Sequence, residues 1–164
     1  MKINPNIFRE YDIRGIVGQD LSPEVVRILG RGTGTYFRRR GQRTVAVGRD
    51  CRLSSPEYYR ALADGLKSVG CRPVDLGTVP TPLLYFSIFF KGYDAGVMIT
   101  GSHNPPEYNG FKLMSGKDTL YGETIQDVRR IIEGDAFFAA EEGEESRYDI
   151  LPEYLDYVAG NINL

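Results

Sequence analysis

Short apolar runs alternate with helix-patterned segments along most of this chain, and that alternation narrows the choice of fold more than any other feature. Two segments open on the same tripeptide, Ser22-Pro23-Glu24 and Ser55-Pro56-Glu57. Each combines a capping hydroxyl, a proline whose fixed φ suits a first helical turn, and a first-turn acid. Around the first, Leu21, Val25, Ile28, Leu29, Gly32 and Tyr36 recur at helical spacing. Arg38-Arg39-Arg40 follows where cations suit the helix dipole, and Gly41 ends the helix. After the second, Tyr59, Leu62, Ala63, Leu66 and Val69 form one apolar face, and Gly70 ends it. Pro82 opens a third helix that Gly92 stops, and residues 124–132 form a fourth before Gly134.

Between these lie strand-like runs at residues 44–48, 71–77, 95–100 and 110–114. Pro73 in the second marks an edge position or a strand start. The pattern predicts an α/β fold: a three-layer sandwich with a mixed, largely parallel sheet and helices on both faces. The acidic stretch 140–146 is a candidate boundary, and Leu151, Tyr154, Leu155 and Val158 then restart a helical spacing. The expected division is 1–148 as the main domain and 149–164 as a crossover into a second, truncated one.

The chain has 164 residues, enough for one ordinary domain, and 41% hydrophobic content supports a core. A net charge of −2 offers no electrostatic footprint for nucleic acid. Cys51 and Cys71 form no C-x-x-C pair and no disulfide lattice, which suits a reducing compartment. The first residues lack the apolar core of a signal peptide. The longest oily run, residues 82–90, falls far short of the ~20 residues of a membrane span. These features lead to the expectation of a cytoplasmic protein with neither nucleic acid nor membrane among its partners.

Three glycines, Gly30, Gly32 and Gly34, evoke a dinucleotide loop, but they lie late in a predicted helix with no strand before them. The expectation is that they let this helix approach the sheet. Residues 97–112, VMITGSHNPPEYNGFK, are the richest stretch and hold the only histidine, His103. Ser102 beside His103 suggests a hydrolase dyad, yet neighbours on an extended segment point to opposite sides, and G-x-S-x-G is absent. Phosphoryl chemistry fits better. α/β folds place ligands beyond the carboxyl ends of their strands. There, Ser102 offers a hydroxyl for a covalent group, Asn104 an amide for the loop or a phosphate oxygen, and Lys112 a mobile ammonium. Gly, Ser, Asn and Pro are also the ordinary residues of a plain turn.

A second anomaly is FREYDIRGIVG, residues 8–18, whose apolar residues alternate too irregularly for a clean strand. Arg14 next to Gly15 could fork onto a phosphate or simply pair with Asp12. In the polar run after residues 44–48, Arg49 and Asp50 could line the same crevice, or Asp50 could anchor Arg49.

Together these stretches resemble the N-terminal domain of the α-D-phosphohexomutases, bacterial phosphomannomutase/phosphoglucomutase type. The matching pieces are FREYDIRGIVG, VAVGRDCRLSSPE, GLKSVGCRPVDLGTVPTP, GVMITGSHNPPEYNGFK and YDILPEYL, in family order across most of residues 8–155. The resemblance implies the first of four domains, with Ser102 held as phosphoserine. That serine would exchange its phosphoryl group with a hexose phosphate, interconverting the 1- and 6-phosphates of mannose and/or glucose through a bisphosphate. It also implies that Arg14 and Lys112 contact the transferring group, that His103 and Lys112 handle protons, and that Tyr11 and Asn104 line the site and bind substrate. Arg49, from its place after the strand, is a further candidate for binding substrate. The implied cofactor is Mg²⁺, which Ser102 would meet through its phosphoryl group while an aspartate-rich loop of the second domain holds it. No such loop occurs in this sequence, so the isolated domain is expected to be inactive, partnered in the whole protein by its missing domains. The alternative is a stand-alone sugar-phosphate-binding module without catalysis. TGSHN is closer to the mannose/glucose branch than to the glucosamine branch, which carries S-A-S-H-N.

Overall fold

This computed structural model describes residues 3–162. A short 3-10 turn, Pro5–Ile7, precedes strand β1, Ile13–Ile16. Helix α1, Pro23–Arg38, starts at Ser22, whose hydroxyl accepts from the Val25 N–H at 3.3 Å. Strand β2, Thr44–Arg49, leads into α2, Ser55–Lys67. The cap position of α2 is Ser54, whose side chain makes no capping bond, while the Ser55 hydroxyl donates to Asp50. Strand β3, Arg72–Thr78, and helix α3, Thr81–Lys91, follow, and Gly92 closes the helix at φ 70°, a conformation glycine adopts without strain. Next come β4, Ala95–Ile99; β5, Tyr108–Ser115; β6, Asp118–Thr119; α4, Glu123–Glu133; β7, Ser146–Arg147; and α5, Leu151–Asn161.

The sheet order is β1-β5-β4-β2-β3-β7, with β6 paired to β5. Strands β4, β2, β3 and β7 run parallel, whereas β5 is antiparallel to both β4 and β1. The sheet is thus mixed and largely parallel, as expected. Pro73 is the second residue of β3, whose outer side is paired only at Val74 and Asp75. The stretch 8–18 differs from the sequence reading: Ile13–Ile16 is a true strand, with Ile13 opposite Phe111 and Arg14 opposite Gly110. Its irregularity comes from its brevity, since only Ile13 and Ile16 are apolar side chains within it.

Alternation along the strands builds two cores. Ile13, Val45, Val47, Val97, Ile99, Phe111 and Leu113 pack with the buried faces of α1, α2 and α4. Ala46, Val74, Leu76, Met98 and Met114 face Leu83, Leu84 and Ile88 of α3. The α1 glycines act differently from expectation. A Cβ at Gly30 would lie 2.5 Å from the Leu62 carbonyl oxygen, and one at Gly32 2.4 Å from Ile132. They let α1 approach its neighbouring helices, α2 and α4, rather than the sheet. The acidic stretch 140–146 is tied down at its backbone, where the Gly143 N–H donates to the Lys67 carbonyl. Helix α5 meets α3 through Phe86, whose ring is 5.3 Å from that of Tyr154. No helix among the described residues is long and apolar enough to cross a membrane.

Candidate functional site

Strands β2 and β4 end side by side, so the loops that follow them meet at the carboxyl edge of the sheet. The Asp50 N–H donates to the Ile99 carbonyl at 2.9 Å, and Asp50 then organises both loops. Its Oδ1 accepts from the Arg52 N–H and the Ser55 hydroxyl, and its Oδ2 accepts from the Gly101 N–H at 3.1 Å. Burial pushes the Asp50 carboxyl up, but hydrogen bonds from Ser55, the Arg52 and Gly101 N–H groups and Thr100 outweigh it and hold it below its ordinary value. Asp50 therefore anchors Arg52 and Gly101, not Arg49.

Arg52 fills the inside of the second loop. Its Nη1 donates to the carbonyls of Pro105 and Tyr108 at 2.7 and 2.9 Å. Its Nη2 donates to Asn104 O at 2.7 Å and reaches Ser102 O at 3.4 Å. Asn104 braces the same turn by donating from Nδ2 to Gly101 O at 2.9 Å, so its amide holds the loop. The fully buried Asn109 donates to the Ser54 and Ser55 hydroxyls, locking the start of β5 to the start of α2.

Ser102 stands exposed at the front of this loop with φ 50°, while its N–H donates to Thr100 Oγ1 at 2.9 Å. The segment is not extended there. The left-handed turn brings Ser102 Oγ to 3.4 Å from His103 Nδ1, so the two side chains touch where an extended strand would have parted them.

The second half of the site is on β1 and β5. Arg14, Gly110 and Thr100 fall in one row across the sheet, since Arg14 pairs with Gly110 and the Thr100 N–H donates to Gly110 O. Gly110 has no room for a side chain, because a Cβ would meet Ile13 O at 2.5 Å and Arg14 Cβ at 2.8 Å. Lys112 lies on the same face as Arg14, opposite Met98. Asp12 lies 3.5 Å from Arg14 Nε and 3.6 Å from Lys112 Nζ, so one carboxylate gathers both cations. Their side chains remain 35% and 27% exposed. Tyr11, which precedes Asp12 in the sequence, is exposed.

Arg49 is not brought into either half. Its guanidinium bonds Asp75 at 2.6 Å and stacks 4.7 Å from the Tyr59 ring, on the α2 side of the sheet. The residue that sequence reasoning missed is Arg52, and its only signal is its place in the polar run after β2. The Ser102 loop borders an open groove of about 730 Å³ lined by Asp50, Arg52, Ser54, Thr100, Ser102 and Asn104. A larger hollow of about 1040 Å³ lies elsewhere, by Tyr36, Arg40, Asp118 and Gln126, and contains none of the expected site residues. Among the described residues, no three His, Cys, Asp or Glu side chains gather to hold a metal ion.

This geometry can carry a group on an exposed hydroxyl and present cations from the neighbouring strands. Comparison with known proteins points the same way. Residues 5–138 match the sequence profile described as phosphoglucomutase/phosphomannomutase, alpha/beta/alpha domain I. The chain is 46% identical over 160 residues to a phosphoglucomutase of Neisseria meningitidis serogroup B, covering 97% of this chain and 35% of that protein. It is also 46% identical over 157 residues to a phosphomannomutase/phosphoglucomutase of Pseudomonas aeruginosa, covering 96% and 34%. A crystal structure of a phosphoglucomutase/phosphomannomutase family protein from Burkholderia thailandensis superimposes with a TM-score of 0.94 at 40% identity, covering 99% of this chain and 37% of that one. The chain thus spans about a third of the length of the relatives it matches.

Proposed function

Because the chain belongs to the phosphoglucomutase/phosphomannomutase family as its alpha/beta/alpha domain I, we propose that it is the phosphoserine-bearing domain of a phosphohexomutase, with Ser102 as the phosphoryl carrier. The observation that carries this reading is the pose of Ser102. Its hydroxyl is exposed on a braced loop at the carboxyl end of β4, two residues beyond Thr100, which shares a row across the sheet with Gly110 and Arg14.

In this reading the Ser102 Oγ–P bond breaks as a hydroxyl oxygen of a hexose monophosphate bonds to the phosphorus. The proton of that hydroxyl passes to a base, for which His103 and Lys112 are the candidates in this chain. Ser102 Oγ leaves with the electron pair of its bond to phosphorus and takes up a proton. The bisphosphate then reorients, and its other sugar O–P bond breaks as Ser102 Oγ bonds to that phosphorus, the serine proton passing to the base and the freed sugar oxygen gaining one. The net change moves phosphate between the 1 and 6 positions of mannose and/or glucose. Such transfer depends on positioning and on neutralising charge more than on covalent help from the protein. A phosphoserine bears close to two negative charges. Arg14 can fork onto its oxygens, and Lys112 can follow the moving group as a point charge.

Bound Mg²⁺ would add further charge neutralisation, as the family resemblance implies. This chain would contribute to it a phosphoryl oxygen on Ser102. Mg²⁺ beside a phosphate is usually held by one or two carboxylates, and among the described residues no three His, Cys, Asp or Glu side chains gather to hold an ion, so the residues present do not by themselves fit the metal. The 164 residues alone are accordingly proposed to be inactive, and a coupled mutase assay on them tests this, with robust Mg²⁺-dependent turnover as the refuting result.

Intact mass of the full-length chain tests the carrier. Incubation with a hexose 1,6-bisphosphate should add one phosphoryl group, and Ser102→Ala should not gain it. A labile phosphoryl group on another residue would overturn the assignment. Sugar-phosphate binding without any phosphorylation would favour the stand-alone binding module.

A further inference from the structure

We propose that Arg52 is a positioning residue for phosphoryl transfer, fixing the pose of Ser102 by gathering the loop's carbonyl oxygens behind it. The inference rests on Ser102 being the phosphoryl carrier, and it concerns a residue outside the expected site. Arg52 sits 17% exposed, with Nε 3.3 Å from Asp50 Oδ2 and its two terminal nitrogens directed at the carbonyls of Ser102, Asn104, Pro105 and Tyr108.

Besides Arg52, side chains among the described residues tie this loop only near its start, through Asn104 Nδ2 on Gly101 O, the Ser102 N–H on Thr100 Oγ1 and the Gly101 N–H on Asp50. Pro105 and Pro106 have no N–H to donate. Within it, the backbone bonds are Asn104 N–H to Gly101 O and Tyr108 N–H to Pro105 O. Ser102 is held at φ 50°, a pose an L-residue keeps only when its surroundings impose it. Arg52 imposes it, because one planar fork fixes several carbonyls in a set geometry.

There is also an electrostatic consequence. A phosphoryl dianion on Ser102 is disfavoured near carbonyl oxygens, which carry partial negative charge. Arg52 draws four of them inward and places a guanidinium behind the turn. Gly101 is part of the same arrangement, since a Cβ there would lie 2.2 Å from Arg52 Cζ and Nε. Lysine keeps the charge but has no planar fork, so Arg52→Lys separates charge from geometry.

The test uses the full-length chain with Ser102 loaded from a hexose 1,6-bisphosphate. Single-turnover transfer to a hexose monophosphate, steady-state kcat and KM, and melting temperature are measured for wild type, R52K, G101A and the double variant. R52K should slow transfer on the order of 100-fold, the scale of a small misplacement of a reacting group, with KM little changed. G101A should do the same while leaving the arginine charge in place. The double variant should be no slower than the slower single one, because both remove one arrangement. Wild-type transfer by R52K, or losses that multiply in the double variant, would overturn the inference. A kcat loss tracking only a fall in melting temperature would reduce Arg52 to a stability residue and overturn it as well. A wild-type chain that never carries phosphoryl on Ser102 would overturn the functional reading together with this one.

Discussion

The carboxylate of Asp12 stands 3.6 Å from the ammonium of Lys112, just beyond the Ile13–Phe111 pair that ends the β1–β5 ladder. The same carboxylate is 3.5 Å from Arg14. Two cations on one face of adjacent strands repel each other, and a shared anion between them offsets that repulsion. All three groups keep some contact with water, so the pairs stabilise the fold little. What Asp12 fixes is where the two cations rest before an anionic group arrives.

Asp12→Asn keeps the shape of this residue and removes its charge. It should change folding stability by less than about 1 kcal/mol. Phosphoryl transfer in the full-length chain should slow several-fold, because Arg14 and Lys112 lose their common guide. Equal single-turnover rates for wild type and D12N would remove Asp12 from the site.

A pH dependence follows from Asp50. Its carboxyl is held below its ordinary value in the folded chain. Its contribution to stability is therefore fully present above the range where an unfolded aspartate titrates. It is lost as pH falls through the depressed folded value, which places the loss below about pH 4. Asp50→Asn should cost about 2 kcal/mol at neutral pH, the scale of hydrogen bonds to a charged group. That difference should shrink as the solution is acidified. Denaturant melts of wild type and D50N across the acid range check it, and a gap that stays constant would show that Asp50 is not the titrating anchor.

Local signals were readable wherever a single short stretch decided the outcome. Ser22 caps α1 and Gly92 ends α3 as their positions in the sequence indicate. Strand β1 was not readable, because its partner β5 lies far along the chain and only that pairing makes Ile13–Ile16 a strand. The contact of Ser102 with His103 was hidden for a similar reason. It depends on a left-handed turn that the closed loop imposes, not on either residue's preference. Arg52 was hardest to see, since it bonds backbone carbonyls, and carbonyls are common to every residue. Arg14 and Lys112 share Asp12 as a partner, whereas the sequence offers Asp12 only as a neighbour of Arg14.

The α1–α2 seam yields a prediction about packing. A Cβ at Gly65 would lie 2.1 Å from the Arg27 carbonyl oxygen, and one at Gly30 2.5 Å from that of Leu62. These obstacles are backbone, so relief requires the helices to separate. Gly30→Ala and Gly65→Ala should each cost about 1–3 kcal/mol, the range of overpacking in a close-packed core. Gly41, whose Cβ would meet nothing, is a poor control because its φ is 77°. Gly160→Ala serves instead, since the space there is open and its backbone is helical, and it should not destabilise the fold. Thermal melts showing no loss in G30A and G65A would mean that the seam relaxes freely.

Arg49 and Arg52 lie three positions apart and should fail in opposite ways. Arg49 is bound to Asp75, with the two side chains 16% and 13% exposed, and it stacks on Tyr59. Arg49→Met leaves the Asp75 carboxylate without its cation in a mostly buried place, although the Gly77 N–H still donates to it. That should cost about 2–3 kcal/mol of stability, near the lower end for a broken buried pair. Transfer from Ser102 should persist at close to the wild-type rate wherever the chain is folded, because the Asp75 pair holds the guanidinium on the α2 side of the sheet. Arg52→Lys should do the reverse, slowing transfer with a smaller change in melting. A folded R49M chain with slow transfer and an unchanged melting temperature would return Arg49 to the substrate site.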